Sequence, residues 1–137
     1  MLVPGKSLGG LRLGMTEAQV RVAWGGRYGR CSNCVEPTWY FNYRKFEPDG
    51  AGVSFRRGRV DAIFTLWSPA GWHTDRKLRI GDAAPLATQL YGPLLTVHCG
   101  SYDALLLPKG RTQTELYVFD RKIWGFGLSS AGVPACH

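Results

Sequence analysis

The residues best suited to chemistry in this chain are four cysteines, Cys31, Cys34, Cys99 and Cys136, and three histidines, His73, His98 and His137. The run Cys-Ser-Asn-Cys at 31–34 has the spacing of a redox dithiol. Such a pair works at the start of a helix, whose N-terminus lowers the thiol pKa. Here it follows the glycine pair Gly25-Gly26 and leads through a turn into "TWYF", so that assistance is missing. The four sulfurs, with His98 or His137 as substitutes, could instead form a tetrahedral zinc site, although such sites usually show two paired knuckles and this chain has one. An even cysteine count also suits a disulfide framework, for which three pairings are open. The preferred scheme is Cys31–Cys34 with Cys99–Cys136; closing the second loop, of roughly 35 residues, contributes about 3–4 kcal/mol in the chain-entropy account. No resident metal or cofactor is expected.

Other groups offer less. Gly5-Lys6-Ser7 mimics the end of a phosphate-binding loop but lacks the earlier glycine and the preceding strand. The histidines and the acids Asp61, Asp103 and Asp120 show no acid–base or nucleophile spacing, so the expectation is a non-enzymatic protein. The aromatics are more suggestive. Trp39, Tyr40 and Tyr43 in the first half, and Tyr117, Phe119 and Trp124 in the second, interleave with Arg44 and Arg56 in the composition of an interface hot spot. These eight residues are the candidate binding face. The net charge of +7, from 17 Lys and Arg against 10 Asp and Glu, favours an acidic partner.

What must position these groups is a pattern written twice. "LRLGMTEAQVRVAWGG" at Leu11 and "LRIGDAAPLATQLYGP" at Leu78 run in register. In the first, Thr16 and Gln19 make a capping box and Gly25 a helix stop. In the second, Asp82 takes the cap position, Pro85 the first turn and Gly92 the stop. "TWYFNYRKF" alternates like a strand, with Tyr40, Asn42 and Arg44 on one face and Trp39, Phe41 and Tyr43 on the other. Hairpins bend at Arg57-Gly58 and at Asp120-Arg121. The expectation is an α+β fold: a tandem repeat of helix plus antiparallel strands, forming one joined antiparallel sheet of roughly six to eight strands with helices on one face and the other face open. Residues 1–137 form a single domain on this reading, with repeats over 8–67 and 78–130, a linker over 68–77 and a tail over 131–137.

The run "LGMTEAQVRVAWG", through Gly14, Met15, Thr16, Gln19, Val20 and Gly25, resembles the signature of the beta-lactamase inhibitory protein-like fold and of the small SmpA/OmlA-type lipoproteins that serve barrel assembly. The resemblance covers residues 8–130 in architecture. It implies an extracellular or cell-envelope protein that binds other proteins through its sheet, in the manner of an inhibitor; no contact residue for a beta-lactamase is matched. The expected partner is therefore an acidic protein, with a cell-wall polymer as the second class. No stretch approaches the ~20 apolar residues of a membrane span. The alternative is a small intracellular protein that binds nucleic acid or is stabilised by zinc. The nucleic-acid reading rests on charge alone, since no aromatic strand motif, GxxG clamp or basic groove helix is present.

Overall fold

The computed structural model describes residues 1–31, 33–41, 50–66 and 71–137. In chain order the elements are β1 (Leu2–Val3), β2 (Ser7–Leu8), α1 (Glu17–Trp24), β3 (Gly29–Cys31), β4 (Thr38–Phe41), β5 (Gly50–Arg56), β6 (Arg59–Leu66), α2 (Pro85–Tyr91), β7 (Leu95–His98), β8 (Asp103–Lys109), β9 (Thr112–Phe119) and β10 (Lys122–Ser130). The hairpin turns fall where the sequence places them. Arg57 and Gly58 have φ of 53° and 74°, and Asp120 and Arg121 φ of 50° and 62°. Two successive left-handed residues give the turn whose twist matches that of the strands it joins. Each hairpin then carries a bulge, which leaves Asp61 in β6 and Trp124 in β10 without a partner in the ladder.

The large sheet runs β3-β4-β5-β6-β10-β9-β8-β7 and is antiparallel throughout, while β1 and β2 form a separate hairpin. Strands β6 and β10 join its two ends from Ala62↔Ser129 to Leu66↔Gly125. These proportions correct the expected α+β repeat of helix plus strands: among the described residues strand accounts for 48% and helix for 12%. Two helices of eight and seven residues are too short to make a layer. The protein is predominantly an antiparallel sheet, and the helical pattern in the sequence marks two plugs on it.

The capping box of α1 is present: the Thr16 hydroxyl accepts the Gln19 N–H, and the Gln19 side chain accepts the Thr16 N–H. The second cap is not where it was expected. Asp82 accepts the Arg79 N–H at 2.8 Å instead, and α2 starts from Ala84 without a side-chain cap. On the helix side, Val20 and Ala87 meet Val53, Phe55, Ile63, Leu116, Phe126 and Leu128 of the sheet. The chain start completes this side, because Leu2, Leu8 and Leu11 are fully buried. Each such leucine contributes on the order of 2 kcal/mol by leaving water.

The opposite face is not open. After β10 the chain turns back at Ser130–Val133 and crosses the sheet as a strap. The Tyr117 hydroxyl donates to the Ala135 carbonyl at 3.1 Å, and the Tyr102 hydroxyl donates to the His137 carbonyl at 2.8 Å. The His137 ring stacks on Phe64, centroids 4.0 Å apart. Cys136 is bonded to Cys99, beside the end of β7. Phe64, Tyr102, Ala104, Leu106, Tyr117 and Ala135 make a second small core beneath.

Candidate functional site

Register explains what the strap covers. Cross-strand pairs share a sheet face, so Thr38, Ser54, Ala62, Ser129 and Gln113 form one row across five strands. The next row is Tyr40, Gly52, Phe64, Gly127 and Glu115. Small residues lie beneath and large rings above. A β-carbon on Gly52 would stand 2.2 Å from the Phe64 ring, so Gly52 is what lets that ring lie flat. The rings continue as an array, with neighbouring centroids 4.0–6.2 Å apart: Tyr40, Phe64, His137, Tyr117, Tyr102, Trp124 and Phe119.

Of the expected binding residues, the structure brings Tyr40, Tyr117, Phe119 and Trp124 onto this one face. Trp39 lies on the other, 3% exposed and stacked under Tyr28 at 4.0 Å. Tyr117 is fully buried beneath the strap. Neither presents surface to a partner, because each has already found its cover within the chain. Tyr40 is half-buried beside the Cys31–Cys34 bridge, its hydroxyl 4.0 Å from Cys34 Sγ. Tyr43 and Arg44, with Asn42 and the first three linker residues, lie outside the described residues. What remains accessible is the rim at the β9–β10 turn. Phe119 is 48% exposed, and Trp124 touches it on one side and Tyr102 on the other. Arg121 and Lys122 are exposed beside them. The bulge throws Trp124 out of the ladder, and its indole N–H is buried with no acceptor among the described residues, an arrangement that costs about 1–3 kcal/mol.

Arg56 has a different employment. Its guanidinium reaches the Glu36 carboxylate at 3.0 Å and Asp61 Oδ2 at 3.6 Å. Asp61, the other bulge residue, is 5% exposed. Among the described residues no donor meets either of its oxygens in hydrogen-bond geometry. Burial first, and then Glu36, push its carboxyl up to about 7. Glu36 moves the other way, chiefly through Asp61 and then through Arg56. Glu115 is a second buried acid, 1% exposed, with Ser129 and Gln113 donating to Oε1 and, among the described residues, nothing meeting Oε2. Burial raises it to about 7 as well.

Glu115 was not singled out in the sequence, and Asp61 was set aside there, because each stands alone in the chain; the sheet register brings Gln113 and Ser129 to Glu115, and the fold brings Arg56 and Glu36 to Asp61. His98, also set aside, has its Nδ1 2.7 Å from Asp103 Oδ1 on the surface. The cysteines are paired as preferred, Cys31 to Cys34 and Cys99 to Cys136, with none free. A zinc site would need the same four sulfurs as thiolates, and here they are bonded to each other. Among the described residues no group of three or more His, Cys, Asp or Glu stands ready for a metal.

No family model matches the chain, and no curated protein matches it. The fold is shared with solved structures. An extracellular protein containing an SCP domain from Bacillus anthracis superposes with a TM-score of 0.59 at 12% identity, over 87% of this chain and 44% of that one. A cysteine-rich secretory protein from Staphylococcus aureus gives 0.58 at 12% identity, over 93% and 46%. A DUF4309 family protein from Bacillus subtilis gives 0.55 at 16% identity, over 84% and 78%. The chain thus spans less than half of the first two. None of the three is named for beta-lactamase inhibition or barrel assembly. At these identities the likeness is one of fold.

Proposed function

We propose that this protein is an exported, disulfide-stapled binding module without catalytic activity of its own, and that it engages an acidic protein through the aromatic rim at Phe119 and Trp124. The observation that carries the reading is a contrast in exposure. The strap seals most of an aromatic face, yet leaves Phe119 half out of water against Trp124, beside Arg121 and Lys122. A large ring exposed next to cations is the composition of a hot spot, and the charge of +7 favours an acidic partner. Two closed disulfides support an oxidising compartment, and so does the description of two fold relatives as extracellular or secretory. No described helix is long and apolar enough to cross a membrane.

The test uses wild type and Phe119→Asp as baits for the extracellular proteins of the producing organism. An acidic partner held by wild type and lost from a Phe119→Asp protein of unchanged melting temperature supports the reading. Retention of the same proteins by both baits, or of nucleic acid in place of protein, defeats it.

A further inference from the structure

A second feature lies apart from the aromatic rim. A cleft of about 340 Å³ opens between the β1–β2 turn, the turn at Thr74–Leu78, the end of α2 and the outer end of β8. Three cations line it: Lys6, Arg76 and Lys109. None of the three has a carboxylate within ion-pair distance among the described residues. The single acid of the lining, Asp75, is already occupied, because its Oδ1 accepts the Tyr91 hydroxyl at 2.7 Å.

The fold builds this cleft with some care. Thr74 is fully buried, and its Oγ1 accepts the Arg76 and Leu78 N–H groups, which fixes the turn. The Arg76 guanidinium sits over the Tyr91 ring at 5.1 Å and donates to the Leu90 carbonyl. Its direction is thus set before any ligand arrives, which lowers the ordering cost of binding. Gly5 has φ +72°, and a β-carbon there would lie 2.9 Å from Lys109 Cδ. The missing side chain therefore lets the Lys109 stem lie across the turn that carries Lys6. The Gly5 N–H donates to Thr114 Oγ1 at 2.9 Å and pins that turn to β9.

We infer that this cleft is a binding site for a dianionic oxyanion of the phosphate monoester class. Three cations against one engaged carboxylate leave a local charge of about +2, which a phosphate monoester matches and a carboxylate does not. The apolar wall of Val3, Pro4 and Pro108 suits a short organic stem behind the phosphate.

The test is a titration of the whole folded protein at fixed ionic strength, read on the backbone amides of Lys6, Arg76 and Lys109 by NMR. Inorganic phosphate and glycerol 3-phosphate should both saturate these shifts, and acetate should not. In the Lys6→Ala/Lys109→Ala variant the apparent Kd should rise about tenfold, and Gly5→Ala should weaken binding by displacing Lys109. Phe119→Asp should leave the titration unchanged, which separates this site from the rim. Glycerol 3-phosphate ahead of phosphate assigns an organic monoester, and the reverse assigns free phosphate; either order supports the site. Shifts that grow linearly without saturating overturn it. So does equal binding of acetate, or an unchanged Kd in the folded double variant.

Discussion

The two faces of the sheet are closed by different physics. On the helix side, segments anchored independently of one another, at Leu2, Leu8, Leu11, Val20 and Ala87, press apolar groups onto an apolar surface. Many interchangeable contacts share the work there, and no single one decides whether that side stays closed. On the other side one strap of chain does the covering. It is held by one disulfide, two tyrosine hydroxyls and one stacked ring. Beneath or beside it lie polar atoms that gain nothing from being dry, among them Glu115 Oε2 and the Trp124 indole N–H. A face closed by a few specific contacts over imperfectly satisfied polar groups responds to redox state and pH. A face closed by dispersion and the hydrophobic effect does not.

The sharpest way to break this comparison is to remove the covalent hold. Cys99→Ser with Cys136→Ser opens a bridge between residues 37 apart in sequence, and urea denaturation should show a loss of about 3–4 kcal/mol. Cys31→Ser with Cys34→Ser opens a bridge spanning only 3 and should cost about 2 kcal/mol in the same account. Amide exchange should quicken around Tyr102 and Tyr117 in the first variant and stay slow around Val20 and Leu128. Equal losses from the two bridge variants would mean that the strap adds nothing that a short local staple does not.

The next effect is one of pH. Glu115 in the folded protein has a pKa near 7, against an ordinary 4.5. The folded state therefore keeps a proton that the unfolded chain releases. Its stabilising contribution is complete below about pH 4.5 and is lost as the pH rises through 7, by about 3 kcal/mol in all. Glu115→Gln keeps an acceptor for Ser129 and Gln113 and removes the charge. It should match wild type at pH 4.5 and exceed it by roughly that amount at pH 8.5. Asp61 titrates in the same window, so a residual slope should survive in the variant. A wild-type stability that rises from pH 5 to pH 8 would show that neither acid is dry.

Much of the local structure was legible from residues alone. Thr16 and Gln19 state a helix start, Arg57-Gly58 and Asp120-Arg121 state hairpins, and the alternation from Thr38 to Phe41 states a strand. The cysteine count allowed three pairings, and the preferred one, Cys31–Cys34 with Cys99–Cys136, is the one present. What misled was the amphipathic pattern at Val20 and at Leu86. It reads equally as a structural layer or as a plug, and only the sheet area to be covered decides between them. The strap was invisible for a different reason. "AGVPACH" has no period, so its contacts with Tyr117, Tyr102 and Phe64 follow from where β10 ends. Once it lies across the sheet, the burial of Tyr117 and Glu115 follows. Trp39 was misplaced because alternation says which residues share a face and is silent on which face is outside. Phe119 and Trp124 lie at the rim because they flank the β9–β10 turn.

The smallest effect is the most local, and it tests whether the strap side is held by shape as well as by chemistry. Gly52 and Gly29 face Tyr40 from either side in the same row of the sheet. Among the described residues nothing lies within 4 Å of where a Gly29 β-carbon would be, whereas at Gly52 the Phe64 ring stands 2.2 Å away. Phe64 cannot simply lift, because the His137 ring lies on its far side. Gly52→Ala therefore has to displace a ring, the strap above it, or both. It should cost about 2 kcal/mol, the usual penalty of overpacking. Gly29→Ala, at an extended edge position with open space, should cost nothing measurable. If the Gly52→Ala loss disappears when Cys99 and Cys136 are already replaced, the strap's covalent anchor is what makes the ring immovable. If the loss persists undiminished, Phe64 is held by the sheet itself, and the strap is a cover laid on a surface that was already formed.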